Sequence, residues 1–177
     1  MPVAARRQGD QNLTLDGVAV TSSAADLNTL LGLAGTGAML KTALVTVTSA
    51  ELLALNATPK QLVAAPGAGR ALIFEGAMVS KPAGTAYSGI ATGEDLSIKY
   101  TDASGLAVGG AETTGFLDQA TAQSRYIRPT GAASGVSDIV AVANTALVLH
   151  LLVGEITTGD SALTLRVFYR DVALPAA

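Results

Sequence analysis

The sequence predicts a mainly β protein, an antiparallel β-sandwich or a jelly-roll-like barrel, preceded by an extended N-terminal arm that carries a short helix. Short runs rich in β-branched residues recur between turn signals that lie about 8–14 residues apart. Strands do not alternate with long helical patterns, which argues against a parallel α/β sheet. The last third of the chain has the clearest strand periodicity, with apolar residues at every second position.

Residues 1–40 differ from the rest of the chain and are expected to form the arm. Its first 16 residues are polar and lack periodicity. Ser23 then has the features of a helix N-cap, and Gly32 is placed to end a helix of about two turns. A helix this short is unstable alone, so its apolar side must dock on its own domain or on a neighbouring subunit. That side is formed by Leu27, Leu30 and Leu31.

Residues 41–177 are expected to form the compact domain. A β-branched strand, TALVTVT, leads into a short helix, because Thr48 and Glu51 form the pattern of a capping box. KQLVAAP is a short strand, and PGAGR is expected to be a hairpin turn. The longer strand ALIFEGAMVS follows, and period-two counting puts its large apolar residues on one face: Leu72, Phe74 and Met78.

The middle of the domain carries weaker signals. LSIKYTD alternates, which places Leu96, Ile98 and Tyr100 on one side of a strand. Residues 103–144 are expected to be mostly loop and short elements. Among them are a helical turn leading into a short strand that ends at Pro129, and another strand in GVSDIVAVAN.

The last two strand-like runs, Ala146–Val153 and Ala162–Val172, flank the polar turn TTGDS and are interpreted as the core hairpin. The first run is apolar on both faces, which is typical of a strand in the middle of a sandwich. The second run alternates. Its predicted inward residues are Leu163, Leu165, Val167 and Tyr169, and its predicted outward residues are Thr164, Arg166, Phe168 and Arg170.

Composition restricts the class of protein. Charged residues make up 14% of the chain and aromatic residues 4%, whereas soluble proteins carry about 25% charged residues. Much of the surface is therefore expected to face other protein, although a general bias toward small residues would give the same composition. A net charge of −3 argues against nucleic-acid binding. No run of about 20 apolar residues predicts a membrane span, and the N-terminus does not resemble a signal peptide.

The sequence offers no convincing catalytic or cofactor site. His150 is the only histidine and there is no cysteine, so a transition-metal site would depend on carboxylates. His150 lies in an apolar strand, where a structural role with one hydrogen bond is the expected one. Two groups of acids, around the strand at 96–102 and around the last two runs, invite comparison with glycosidase carboxylate pairs. They sit mostly in turns, where such residues are ordinary: Glu94, Asp95, Asp102, Glu155, Asp160 and Asp171. We therefore expect that the protein is not an enzyme and that it binds no cofactor and no metal.

Arginines are the more interesting charged residues. Four of them stand out, Arg125, Arg128, Arg166 and Arg170, because arginine is favoured where charge pairs form across protein interfaces. Arg125 and Arg128 lie in the segment of the predicted short strand. They are candidate partner-binding residues together with the three leucines of the arm. A solvated face is the alternative interpretation.

Three segments resemble structural proteins of tailed bacteriophages. Residues 45–79, VTVTSAELLALNATPKQLVAAPGAGRALIFEGAMV, are similar to the opening of a β-domain in such proteins. Residues 146–172, with a GD-containing turn and a closing YR-type strand, resemble the end of that domain. TSSAADLNTLLG resembles a segment that precedes the folded part of phage fibre and head-appendage proteins. The motifs are structural, and the middle of the chain has no counterpart.

The resemblance implies a virion protein made in the host cytoplasm. Within that group it favours a capsid decoration, or cement, protein, which would bind the major capsid protein on the capsid surface as a homotrimer. The alternatives are a tail, neck or baseplate accessory protein, or a small carbohydrate-binding adhesin. An adhesin would need exposed aromatic residues to stack on sugars, and few candidates exist: Tyr87, Tyr100, Phe116 and Tyr126.

Overall fold

The structure is a computed structural model, and it describes residues 14–15, 18–19, 39–130 and 140–175. The chain divides into two compact units, Met1–Gly35 and Thr36–Ala177. Most of the first unit, including the predicted arm helix with its three leucines, lies outside the described residues.

In the first unit, two short strands pair antiparallel: β1 (Thr14–Leu15) and β2 (Val18–Ala19). The sequence between them is Asp16-Gly17, a dipeptide that favours two-residue hairpin turns. Residues 1–16 were expected to be extended and polar, so this pairing was not predicted.

The second unit is a β-sandwich, as the sequence predicts. Its strands in the described ranges are β3 (Lys41–Val47), β4 (Lys60–Val63), β5 (Arg70–Lys81), β6 (Asp95–Tyr100), β7 (Ala107–Glu112), β8 (Gln123–Ile127), β9 (Leu147–Leu151) and β10 (Leu163–Ala173). They form two antiparallel four-stranded sheets. We call the sheet with the order β3-β10-β5-β8 the front sheet, and the sheet with the order β4-β9-β6-β7 the back sheet.

The core lies between the two sheets and is built by the alternation within each strand. In β10, Leu163, Leu165 and Val167 are fully buried, whereas Thr164 and Arg166 are exposed. In β6, the three residues predicted to share a face are all buried. β9 is buried along its whole length, which confirms the interpretation of its unbroken apolar run as a central strand.

The predicted hairpin between the last two strands is wrong. β9 pairs with β4 and β6 in the back sheet, and β10 pairs with β3 and β5 in the front sheet. Residues 152–162 therefore carry the chain from one sheet to the other. Each of the two strands pairs with a neighbour on both sides in its own sheet, and both contribute apolar side chains to the core between the sheets.

β5 contains a β-bulge that changes which of its residues face the core. The register against β10 shifts between Phe168, opposite Gly76, and Tyr169, opposite Phe74, so Glu75 is the extra residue. Gly76 has φ +145°, a conformation that side-chain-bearing residues avoid. Before the bulge Leu72 and Phe74 are buried, but after it Ala77 and Val79 are buried. The prediction that Met78 shares their face is therefore wrong, and its side chain is 41% exposed.

Two connections also differ from prediction. PGAGR is a tight turn, with Gly67 and Gly69 at positive φ, but β4 and β5 on either side of it belong to different sheets and form no hairpin. In the region 103–144, β8 is the short strand predicted before Pro129, whereas β7 with its paired glycines was not predicted. Residues 140–144 of the predicted strand GVSDIVAVAN contribute only an isolated bridge, between Ala143 and Ala71.

The one helix in the described ranges, α1 (Ser49–Leu53), begins as the sequence predicts. Thr48 Oγ1 accepts a hydrogen bond from Glu51 N at 3.2 Å, and the Glu51 carboxylate accepts one from Thr48 N at 2.9 Å. This is a complete capping box. Leu52 and Leu55, in and just after the helix, are fully buried in the core and anchor it against the sandwich.

A buried hydrogen bond joins the two sheets. Tyr100 in the back sheet donates its hydroxyl proton to the carbonyl of Leu72 in the front sheet at 2.5 Å. Burial raises the pKa of Tyr100, so the hydroxyl stays protonated and keeps this bond over the neutral pH range. Loss of the hydroxyl would leave a buried carbonyl without that donor.

We expect Tyr100→Phe to lower the free energy of unfolding by about 1–2 kcal/mol. Tyr126→Phe is the matched control, because the Tyr126 side chain is 54% exposed and its hydroxyl lies at 3.5 Å from its nearest carbonyl partner, that of Glu75. Urea unfolding of both variants measures the difference. Equal stabilities of the two variants would show that the hydrogen bond between the sheets contributes nothing.

Candidate interaction surface

The outer surface of the front sheet is exposed along its edge strand β3. The outward residues of β3, which are Thr42, Leu44 and Thr46, are all exposed. The back sheet differs, because outward residues of its central strands are covered. Val148 and His150 in β9 are 5% exposed, and Ser97 in β6 is 3% exposed.

Side chains on this surface are arranged in rows across the four strands. Strand pairing places Arg166 next to Leu44 on one side and next to Met78 on the other, and Met78 next to Tyr126. We call these four residues the central row. The exposed fractions are 65% for Leu44, 41% for Met78 and 54% for Tyr126. Thus three large hydrophobic side chains and one arginine lie side by side in solvent.

A second row, which we call the hydroxyl row, runs beside the first. It consists of Thr46, Thr164, Ser80 and Ser124, again in strand order. The hydroxyl oxygens of Ser80 and Ser124 lie 2.9 Å apart and share a hydrogen bond. We call the two rows together the front face. None of its eight residues is acidic.

The front face carries one charged side chain, that of Arg166. Arg166 forms no ion pair with any residue that the structure describes. The nearby bulge residue Glu75 accepts a hydrogen bond from Arg170 Nε at 2.8 Å. The front face therefore presents a cation between apolar side chains, within a chain whose net charge is −3.

The predicted partner-binding arginines have different surroundings. Arg125 Nη2 donates to the carbonyl of Gly115 at 2.6 Å, and its guanidinium carbon lies 5.5 Å from the centre of the Phe116 ring. Arg125 thus ties the loop before β8 to that strand, a role that the sequence did not indicate. Arg128 follows β8 and is exposed. Leu27, Leu30 and Leu31 lie outside the described residues.

The central row was not predicted as a unit. Arg166 was noted as an outward residue of its strand, but Met78 was assigned to the inner face, and the partners across the strands were unknown. The signal that would reveal the row is Gly76, because an isolated glycine inside a strand pattern often marks a bulge.

Most of the candidate carboxylates stabilise loops. Glu94 is buried, and its two oxygens accept hydrogen bonds from the backbone amides of Val153 and Gly154 at 3.0 and 2.8 Å. Asp160 accepts two from Thr85. The remaining ones hold turns or ion pairs: Asp102 binds Ser104, Glu155 binds the amide of Ala57, and Asp171 binds Lys41 and Arg70.

Asp95 is the exception among these acids. Burial, and then the neighbouring charges of Glu112 and Glu94, raise the pKa of Asp95, and its Oδ1 atom has no hydrogen-bond partner. In the described residues, no group of three or more acidic, histidine or cysteine side chains is arranged to hold a metal ion.

A depression of about 290 Å³ lies between α1 and the start of β4. Its ionisable side chains, Glu51 and Lys60, form an ion pair with each other at 2.5 Å. The hydrogen bond from Lys60 is the main reason why the pKa of Glu51 is lowered to about 2. The depression therefore offers an approaching ligand no unpaired charge from these two residues.

The aromatic residues proposed for sugar stacking are mostly internal. Tyr87, Tyr100 and Phe116 are buried, and only Tyr126 of the four is exposed. Tyr87 donates its hydroxyl proton to the carbonyl of Ser161 at 2.6 Å. This bond links the loop between β5 and β6 to the connection between β9 and β10. A single exposed tyrosine does not form a stacking platform for carbohydrate.

His150 has the structural role that its strand predicts. Its Nε2 atom lies 3.1 Å from the carbonyl oxygen of Asn56, which requires a proton on Nε2, and its buried Nδ1 atom has no partner. Burial, with a smaller contribution from Lys99, lowers the pKa of His150, against the opposing effects of the Asn56 carbonyl and nearby carboxylates. The neutral ring is therefore the form that the fold accommodates.

We expect His150 to make the protein sensitive to acid. Because its folded pKa is lower than the value of 6.5 for an unperturbed histidine, the unfolded state binds the proton first as the pH falls. Stability is fully present above about pH 6.5 and decreases as the pH falls through that value toward the folded pKa. His150→Gln keeps a donor for Asn56 and removes the titration.

Urea unfolding at pH 7.5, 6.5 and 5.5 tests this expectation. The stability of the parent protein should fall over this range by more than that of His150→Gln. Parallel pH profiles for the two proteins would contradict it.

No protein-family model, curated protein or solved structure matches the chain. In the described residues, no helix is long and apolar enough to cross a membrane.

Proposed function

We propose that this chain is a non-enzymatic structural protein of a tailed-phage head, a capsid decoration protein that binds the outer surface of the major capsid lattice and stabilises it. The observation that carries the proposal is the front face, a regular, exposed and nearly uncharged sheet surface on a β-sandwich. The resemblance of residues 45–79 and 146–172 to phage structural proteins gives the class of partner.

The use of polar groups within the sandwich supports a structural role. The carboxylate of Glu94 accepts hydrogen bonds from backbone amides, that of Asp160 from a threonine, and that of Asp171 from basic side chains. The buried His150 ring hydrogen-bonds a backbone carbonyl. Such groups fasten loops and strand ends. A rigid domain of this kind suits a protein that reinforces a shell.

Stabilisation of the shell follows from mass action. A protein that binds the assembled lattice and not the free subunits shifts the equilibrium toward the lattice. Residues 1–40 act as an arm that reaches a neighbouring subunit, with Leu27, Leu30 and Leu31 as its anchors. Two attachment points per copy then add avidity.

Removal of residues 1–40 should weaken lattice binding without unfolding the sandwich, because both four-stranded sheets lie in residues 41–177. The measurement is cosedimentation with capsid shells of the encoding virus that lack this protein. We expect about a tenfold loss of apparent affinity. Serine substitution of the three leucines in the full chain should give the same loss if they are the anchors. Unchanged occupancy in both variants would contradict the arm.

We also propose that the protein is a homotrimer held together by its sandwich domains. Light scattering should then give about three times the chain mass of 17.7 kDa, with and without residues 1–40. A monomer in both forms would contradict the trimer, and a trimer that dissociates on deletion would assign the contact to the arm.

A further inference from the structure

We propose that the front face is the surface by which the sandwich docks onto the capsid lattice, and that Arg166 pairs there with a carboxylate of the major capsid protein. This inference rests on the proposed function and adds to it the contact surface and the chemistry of the partner. The partner surface would be apolar with an Asp or Glu side chain at its centre.

Clustering of exposed apolar groups is the first reason. Eight large hydrophobic residues of the described chain are substantially exposed, and three of them fall in the central row. They are Leu44, Met78 and Tyr126, on three different strands that pairing brings together. Contiguous exposed apolar side chains with polar neighbours are typical of protein-binding surfaces. Tyrosine, methionine and arginine are also the residue types enriched in interfaces.

The second reason is charge. Arg166 stands between Leu44 and Met78, and no described residue forms an ion pair with it. A guanidinium that becomes buried without a carboxylate pays a large desolvation penalty, so a partner that covers the front face must supply a carboxylate. The arginine fork binds a carboxylate with two parallel hydrogen bonds, which also fixes the orientation of the partner.

A second copy of this chain is a poorer occupant. Two front faces packed about a two-fold axis would bring two Arg166 side chains close together, and the front face has no acid to separate them. Two like charges that are brought close together destabilise an interface. Charge complementarity therefore favours a different protein surface with acidic groups.

The size of the front face sets the strength expected of one contact. Four strands about 4.8 Å apart and two rows about 7 Å apart give an area of about 270 Å². A stable interface buries about 800 Å² on each partner. One front face therefore binds weakly alone, and full occupancy depends on additional contacts or on several linked copies.

The test is Arg166→Glu in the full chain, with Gln61→Glu as the matched control. Gln61 is exposed on the edge strand of the back sheet, so it adds a negative charge away from the front face. Cosedimentation with decoration-free shells should show about a tenfold or greater loss of affinity for Arg166→Glu. Gln61→Glu should bind like the parent. Arg166→Lys should bind more strongly than Arg166→Glu, because it keeps the positive charge.

The outcomes distinguish failure of the proposed docking surface from failure of the proposed function. If the parent protein binds shells and Arg166→Glu binds equally well, the docking surface is wrong and the proposed function stands. If the parent protein fails to bind, both are overturned. If Arg166→Glu changes the mass of the free protein and leaves shell binding unaltered, the front face joins copies of this chain, which also overturns the inference. Leu44→Ser, at a 65% exposed position, provides a second variant should Arg166→Glu fold poorly.

Discussion

The bulge at Glu75 and Gly76 determines which residues the sandwich presents to its surroundings. A strand without it would keep Met78 on the same side as Phe74, in the core. With the extra residue, Ala77 and Val79 fill the core and Met78 joins Leu44 in solvent. The bulge depends on glycine at position 76. A Cβ atom there would lie 2.4 Å from the Tyr126 hydroxyl oxygen, and φ is positive. The same backbone feature thus places Met78 in the central row and lets the Tyr126 side chain lie close to Gly76.

The outer faces of the two sheets differ in how exposed their residues are. The back sheet is covered over its central strands, where His150 is 5% exposed and hydrogen-bonds the segment after α1. Its loops are fastened by buried polar groups such as Glu94. Within the part of the chain that the structure describes, Leu44, Met78 and Tyr126 in the central row of the front sheet are exposed instead. A sandwich that is closed on one side and open on the other is suited to binding with one face.

Much of the fold could be predicted because local patterns carry it. The alternation in residues 163–167 and the Thr48–Glu51 capping box both appear in the structure as expected. Pairing could not be predicted, since neighbouring strands in sequence do not reveal whether a connection turns back or crosses between sheets. β7 was missed because Gly109 and Gly110 dilute its strand signal. Yet Gly109 is needed, as a Cβ atom there would lie 2.7 Å from the Phe74 ring.

The candidate surface was harder to predict than the fold, because it is made by residues far apart in sequence. Leu44, Arg166 and Met78 become neighbours only through the order β3-β10-β5 and the register of those strands. Of the three, only Arg166 was singled out by its residue type, as an arginine of the kind favoured at interfaces. Arg125 shows the reverse case. Its residue type suggested a binding role, but its hydrogen bond to the Gly115 carbonyl gives it a structural role within the domain.

An open apolar sheet face is a risk for a free protein, since flat exposed strands associate with one another. The central row limits that risk by its composition. Arg166 separates Leu44 from Met78, and the adjacent hydroxyl row keeps neighbouring positions hydrated. The same arginine would disfavour a second front face and favour a partner with a carboxylate, as we propose. The proposed binding to a repeating lattice would then be compatible with a low affinity for each single contact, because a lattice offers many equivalent sites to linked copies.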